Sequence, residues 1–281
     1  DGAANYGNYR IASVAKVGAD YGMLMSDSWI KTDEKTGKPI VGYTGNYRTI
    51  YYKRGGTVKE VGSMLPDFLG TLNTTLRWKN LSLYVLLDAR FGGYVASYNS
   101  RYATAYGFSG ETEKYRKGMT WTSQYANSKD KVFTDGFIPD VVFDQGTTIT
   151  TPAGTNEDVS GMTYQEAYEK GFVEPAHLQS AAYFKNSWSR GVINDDWFKK
   201  LNYIALREVT LSYNVPTNIC SYIGAKSLSL NLTGRNLAYL LNTAPNHENP
   251  ESVRGTGAAQ FRMRSFMPYT ASYLFTLNAT F

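Results

Sequence analysis

The segment YTASYLFTLNATF, residues 269–281, has two faces. Its odd positions are Tyr269, Ala271, Tyr273, Phe275, Leu277, Ala279 and Phe281; its even positions are Thr270, Ser272, Leu274, Thr276, Asn278 and Thr280. One face is apolar and the other almost wholly polar, which is the period of two expected of a β-strand whose faces meet different media. At 13 residues the segment is long enough to cover the roughly 9 to 11 residues that a tilted strand needs to cross a bilayer. Tyr273, Phe275, Leu277 and Phe281 are therefore the candidate barrel-insertion signal.

Working back along the chain, Leu228, Leu230 and Leu232 alternate with Ser227, Ser229, Asn231, Thr233 and Arg235 in a second strand of the same kind. Before it, Val209, Leu211 and Tyr213 share a face, but Ile204 and Leu206 lie on the opposite parity. The phase flips around Arg207 and Glu208, which implies either a bulge or a strand whose upper half stands clear of the bilayer. Further back, Phe68, Gly70, Leu72, Thr74, Leu76 and Trp78 form one face of a long strand. Lys79-Asn80 turns the chain, and the return strand puts Leu81, Leu83, Val85, Leu87, Ala89 and Phe91 on its apolar side: a hairpin.

The connections alternate in length. Those after Trp78 and Tyr213 (the turn 216–226) are short, whereas 92–196 and 241–267 are long. Transmembrane β-barrels have this parity, with short periplasmic turns and long extracellular loops. If Phe281 lies on the periplasmic side, counting strands backwards puts both long loops outside. The loop 92–196 is too aromatic for disorder. Thr163 and Glu166 have capping-box spacing and Gly171 follows, predicting a short helix, and Pro175 opens a second helical segment through about Lys185. Residues 1–66 alternate weakly, with extended runs at 10–17, 23–30 and 43–54.

Composition bounds the function. The chain is 42% hydrophobic and 15% aromatic, with 23 Tyr, and its mean hydropathy is −0.37. No run of about 18 apolar residues exists, so no transmembrane helix is expected; a barrel, greasy on one side only, tolerates this average. The net charge is +5, but Lys and Arg are interleaved with acids and form no stripe, so nucleic acid is not an expected partner. One cysteine, Cys220, excludes an internal disulfide framework, and His177 and His247 make no zinc-like cluster. There is no Gly-x-Ser-x-Gly elbow and no paired nucleophile and base; neither an enzyme nor a cofactor is expected. Asp140 and Asp144, or Asp195 and Asp196, lack calcium-loop spacing and read as solvated loop carboxylates, so no metal is expected.

Four runs of residues together resemble the C-terminal part of SusC/RagA-like TonB-dependent outer-membrane transporters. They are Val61-Gly62-Ser63-Met64-Leu65-Pro66-Asp67-Phe68; the hairpin Leu76 to Leu83 with Phe91-Gly92-Gly93; Tyr203 to Tyr213; and Gly234-Arg235-Asn236-Leu237. The resemblance spans about residues 10–281 and implies an all-β fold: the last seven or eight strands of a 22-stranded antiparallel transmembrane barrel, with the plug domain and TonB box absent from this piece. It further implies import of large nutrients across the outer membrane of a Gram-negative cell, beneath a SusD-like lipoprotein lid and powered by the TonB–ExbB–ExbD complex through the missing N-terminal part. Outer-membrane lipid surrounds such a barrel. Glycan oligomers are the favoured cargo and oligopeptides the second.

Four residues stand out as candidate substrate contacts. Asp88 and Arg90 lie on the polar face of a strand whose other face is apolar, and must point into the lumen, since a charge turned to lipid costs about 2 to 4 kcal/mol at mid-depth. A wall ion pair against the plug is the plainer reading and substrate contact the sharper one. Trp121 and Tyr125 have flat faces suited to sugar rings, with packing inside the loop as the plainer role. Trp78, beside the short turn, reads as an interfacial aromatic. The rival from another class is a secreted β-sandwich adhesin or carbohydrate-binding module, which would also alternate but is expected to show turn signals about every 8 to 12 residues and no one-sided loop asymmetry.

Overall fold

The computed structural model describes residues 10–44, 49–113, 116–177, 193, 198–254, 261–263 and 268–281. Five long strands form one antiparallel meander: β1 (Phe68–Trp78), β2 (Leu81–Phe91), β3 (Tyr203–Asn214), β4 (Ser227–Asn242) and β5 (Ser272–Thr280), each bonded to its neighbours in chain order. Lys79, at φ 51°, makes the β1–β2 turn, and its ammonium lies 5.0 Å from the centre of the Trp78 ring.

The register carries the two-faced pattern across all five strands. Leu76, Leu83, Leu211, Leu232 and Phe275 are successive cross-strand partners, and so are Trp78, Leu81, Tyr213, Leu230 and Leu277. The intervening row is Arg77, Ser82, Ser212, Asn231 and Thr276. Because side chains alternate across the pleat, these rows project to opposite faces. The apolar face is bare: Leu76 is 62% exposed, Leu232 55% and Phe275 68%. On the polar face Thr210 and Thr233 share a 2.9 Å hydrogen bond, and Glu208 and Arg235 form an ion pair at 2.9 Å.

The phase flip is a bulge. Leu206 pairs with Leu87 and Glu208 with Leu86, leaving Arg207 over on β3. On β4 the partners are Ala238 and Arg235, so Asn236 and Leu237 are passed over there, and Asn236 takes φ 50° to absorb the extra length. The Gly234-Arg235-Asn236-Leu237 run is thus the β4 side of this irregularity.

The fold is mostly β, and no helix among the described residues is long and apolar enough to cross a membrane. Among the described residues the long strands number five, not the expected seven or eight. The strands Ile11–Val14, Met23–Ser26 and Lys59–Ser63 form their own three-stranded sheet and are too short to cross a bilayer. The five-stranded sheet is open: among the described residues β1 and β5 each pair on one side only.

The buried core lies in the residues that precede β1 and in the connections between the long strands. Ile40–Thr44 and Thr49–Tyr52 form a hairpin whose Val41 and Ile50 pack with Phe143, Ile149, Val159, Tyr164 and Ala167. A second cluster joins Leu24, Met64, Ala96, Phe198 and Phe261. Helix α1 spans Tyr98–Ala105, capped by Ser97. Helix α2 spans Tyr164–Glu169 and carries the predicted capping box: Thr163 Oγ1 accepts from the Glu166 N–H at 3.2 Å, and Glu166 Oε2 accepts from the Thr163 N–H at 2.8 Å. The helix expected from Pro175 is not formed at its start. Ala176 and His177 pair with Phe137 and Gly136 as a short strand, and the rest of the range, 178–185, lies outside the described residues. The turn 216–226 contains a short helix, α3 (Thr217–Tyr222), in which Cys220 is buried.

Candidate functional site

The bulge turns Arg207 onto the polar face of the sheet, where its guanidinium joins three elements. Nη2 lies 2.9 Å from Asp88 Oδ2 on β2, while Nη1 and Nη2 grip Glu251 in the connection after β4, at 2.8 and 2.6 Å. The Tyr239 hydroxyl on β4 is shared between Glu251 Oε2 at 2.7 Å and Asn249 Oδ1 at 3.2 Å. Arg207 holds the Glu251 carboxyl below the usual carboxylate range. Tyr239 is packed edge-to-face with Tyr203 and with Tyr269, at ring-centre distances of 5.8 and 5.0 Å.

Two adjoining pockets flank this cluster. A pocket of about 240 Å³ is lined by Arg207, Asn236, Tyr239, Asn249, Glu251 and Tyr269, among others. A larger one of about 600 Å³ lies between α1, Phe108–Gly110 and Asn246–Asn249. Asn249, Pro268 and Tyr269 line both. The connection carrying Glu251 is also tied to α1, through Asn246 Nδ2 donating to Ser100 Oγ at 2.6 Å and Ser97 Oγ donating to Glu248 Oε1 at 2.8 Å. Asn246 and His247 both adopt left-handed backbone, at φ 51° and 53°.

The four residues singled out from sequence fall into two places. Asp88 is on the polar face as expected, but its ion-pair partner is Arg207, not Arg90. Arg90 turns instead to the carbonyl oxygens of Gly92 and Met64, each at 3.4 Å. Trp121 belongs to the connection 92–196, where it stacks on Phe133 at 4.8 Å and donates from Nε1 to Glu174 Oε2 at 3.2 Å. Tyr125 is buried, and burial beside Tyr43 pushes its hydroxyl far above the ordinary range. Asp144 is bound by Lys31 and Lys53, and Asp140 by Lys38, so these carboxylates are engaged by lysines. Asp195 and Asp196 lie outside the described residues. The residues that sequence reading missed are Arg207, Tyr239, Asn249, Glu251 and Tyr269; the phase flip at Arg207 was their one visible signal.

No protein-family model and no curated protein matches the chain. Among solved structures it is similar to the RagAB peptide importer in its open-open state, with a TM-score of 0.50 and 14% identity over 97% of this chain and 24% of that one. The chain shares that fold. It spans about a quarter of the length of the solved chain, and the relation to SusC/RagA-like proteins holds at the level of fold. Structures of the RagAB peptide transporter and of the importer in its closed-closed state give TM-scores of 0.47 and 0.43, at 15% and 13% identity, again over 97% of this chain and about a quarter of the other.

Proposed function

We propose that the chain is part of the wall and extracellular loops of a TonB-dependent importer in the outer membrane of a Gram-negative cell, taking up large oligomeric nutrients beneath a SusD-like lipoprotein. The observation that carries this reading is the five-strand-wide sheet with a bare apolar face, a polar face opposite, and outer strands that among the described residues pair on one side only. Soluble proteins rarely leave so continuous an apolar surface uncovered. In hydrocarbon, a sheet is tolerated only when its edges are closed by further strands, because no water is there to satisfy free backbone groups. A barrel completed by strands outside this chain meets both conditions. The β-sandwich rival needs a second sheet about 10 Å above the apolar face, and none of the described sheets covers Leu232 or Phe275.

Oligosaccharide is the favoured cargo. Oligopeptide is the second reading, because the solved importer of similar fold is described as a peptide importer. Energy from the TonB–ExbB–ExbD complex would enter through the plug and TonB box expected elsewhere in the polypeptide. Import is movement, so the reading calls for no catalytic residue, cofactor or metal. Fractionation tests it: the full-length protein is expected with the outer membrane, with heat-dependent mobility in detergent gels and impaired growth of a deletion strain on one class of glycan or peptide. Recovery as a soluble secreted or periplasmic protein would overturn it.

A further inference from the structure

We infer that the pocket where Arg207, Tyr239, Asn249, Glu251 and Tyr269 meet is a cargo-contact subsite on the lumen wall, and that it takes a neutral sugar ring of an oligosaccharide. Three observations carry this. First, a bulge on both strands re-aims side chains there, as bulges do beside binding sites, and the φ 50° of Asn236 shows the backbone bent to do so. Second, the charges are already engaged with one another: both Asp88 and Glu251 accept from Arg207, two carboxylates against one guanidinium. An anionic cargo group is therefore repelled by the one negative charge left over, which is spread over two carboxylates that both already accept from Arg207. The pocket presents a half-exposed tyrosine ring, side-chain amides and carboxylate oxygens, the set that stacks on the CH face of a sugar and bonds to its hydroxyls.

Third, β3 and β4, which floor the pocket, are hydrogen-bonded on both sides. An extended peptide would find no free strand edge to join, the main-chain route by which peptides gain affinity on sheets. The neighbouring 600 Å³ pocket continues past Tyr269, so further linked rings have room on the far side of the same side chain. Tyr269 is held edge-to-face by Tyr239, whose hydroxyl is itself fixed by Glu251 and Asn249. The ring is thus positioned in advance of cargo.

The inference rests on the importer reading for its setting, and binding to purified protein is read apart from membrane location and growth, so either can fail alone. The full-length polypeptide in detergent is titrated calorimetrically with neutral linear gluco-, xylo-, manno- and fructo-hexasaccharides, and with hexaalanine. At least one hexasaccharide is expected to bind, Tyr269→Ala to weaken it about tenfold, and Tyr269→Phe to leave it within about twofold, because stacking needs the ring and not the hydroxyl. Tyr269 is 47% exposed, so neither change removes a core residue. Binding of no hexasaccharide, binding of hexaalanine in their place, or unchanged affinity in Tyr269→Ala would each overturn the assignment.

Discussion

Arg207, the residue that the register of β3 leaves over, reaches to Asp88 on the neighbouring strand, with Nη2 and Oδ2 2.9 Å apart. The same guanidinium holds Glu251, so removing it leaves two carboxylates facing each other, whereas removing Asp88 leaves a guanidinium that still has a partner. Arg207→Gln is therefore expected to destabilise more than Asp88→Asn. In a double-mutant cycle the two changes should couple by roughly 0.5 to 3 kcal/mol, the range for residues in one ion-pair network. Unfolding of the full-length protein in detergent measures this, and additive effects within about 0.5 kcal/mol would show the contact to be idle.

Leu211 and Ser212 are adjacent on β3 and project to opposite faces, in the rows with Leu232 and Asn231. If hydrocarbon bathes the first face, Leu211→Arg costs about 2 to 4 kcal/mol near mid-depth and lowers the amount of folded protein in the outer membrane. Ser212→Arg, one residue away, places the same charge in the lumen and is expected to leave that amount nearly unchanged. Equal effects of the two substitutions would remove the membrane reading of this sheet.

Two glutamates on one connection respond to acid in opposite senses. Burial raises the Glu248 carboxyl above its ordinary range, against the Ser97 hydroxyl and the amide of Asn99, which favour its charge. Hydrogen bonds from Arg207 lower Glu251. By linkage, the contribution of Glu248 is fully present below the ordinary glutamate value and is lost as pH rises through its raised one; that of Glu251 is present above the ordinary value and is lost as pH falls through its lowered one. Mild acidification from neutral should thus favour the folded connection by discharging the buried Glu248, while its grip on Arg207 persists. Protection factors of residues 244–252, with the intrinsic pH dependence of amide exchange divided out, are expected to rise as pH falls from neutral toward the ordinary glutamate value, and the rise should vanish in Glu248→Gln. Protection factors that stay level or fall as the pH is lowered would contradict the assignment.

The long strands were legible because two different media enforce their alternation, residue by residue, from Phe68 to Phe91 and from Ser227 to Arg235. The capping box at Thr163 was legible for the opposite reason, that it is entirely local. What sequence could not show was pairing across distance. Glu251 meets Arg207 from 44 positions away, and Ala176 and His177 are strand only because Phe137 and Gly136 lie beside them. Tyr269 was read as one more member of the final strand. It precedes β5 and faces the Tyr239 ring instead, because the alternation of the strand begins only at Ser272.

Trp121 separates a sugar platform from a structural residue. One face of its indole is occupied by Phe133 at 4.8 Å, the His177 ring is 6.0 Å away, and its N–H is bound to Glu174. Glu174 in turn accepts from the backbone N–H of Gln124, so Trp121 and Gln124 are tied to the same carboxylate. Loss of the indole then strips the packing of Phe133 and leaves Glu174 with one donor fewer. Trp121→Ala is expected to destabilise this part of the connection by about 2 kcal/mol, below the usual cost for a fully buried Trp because the ring is only half-buried. Trp121→Phe should recover part of that, restoring the stack without the hydrogen bond. Limited proteolysis of the full-length protein reads this out: cleavage between residues 116 and 137 should rise in Trp121→Ala, while hexasaccharide affinity at the Tyr269 pocket stays unchanged. A loss of affinity with no gain in cleavage would instead place Trp121 in contact with cargo.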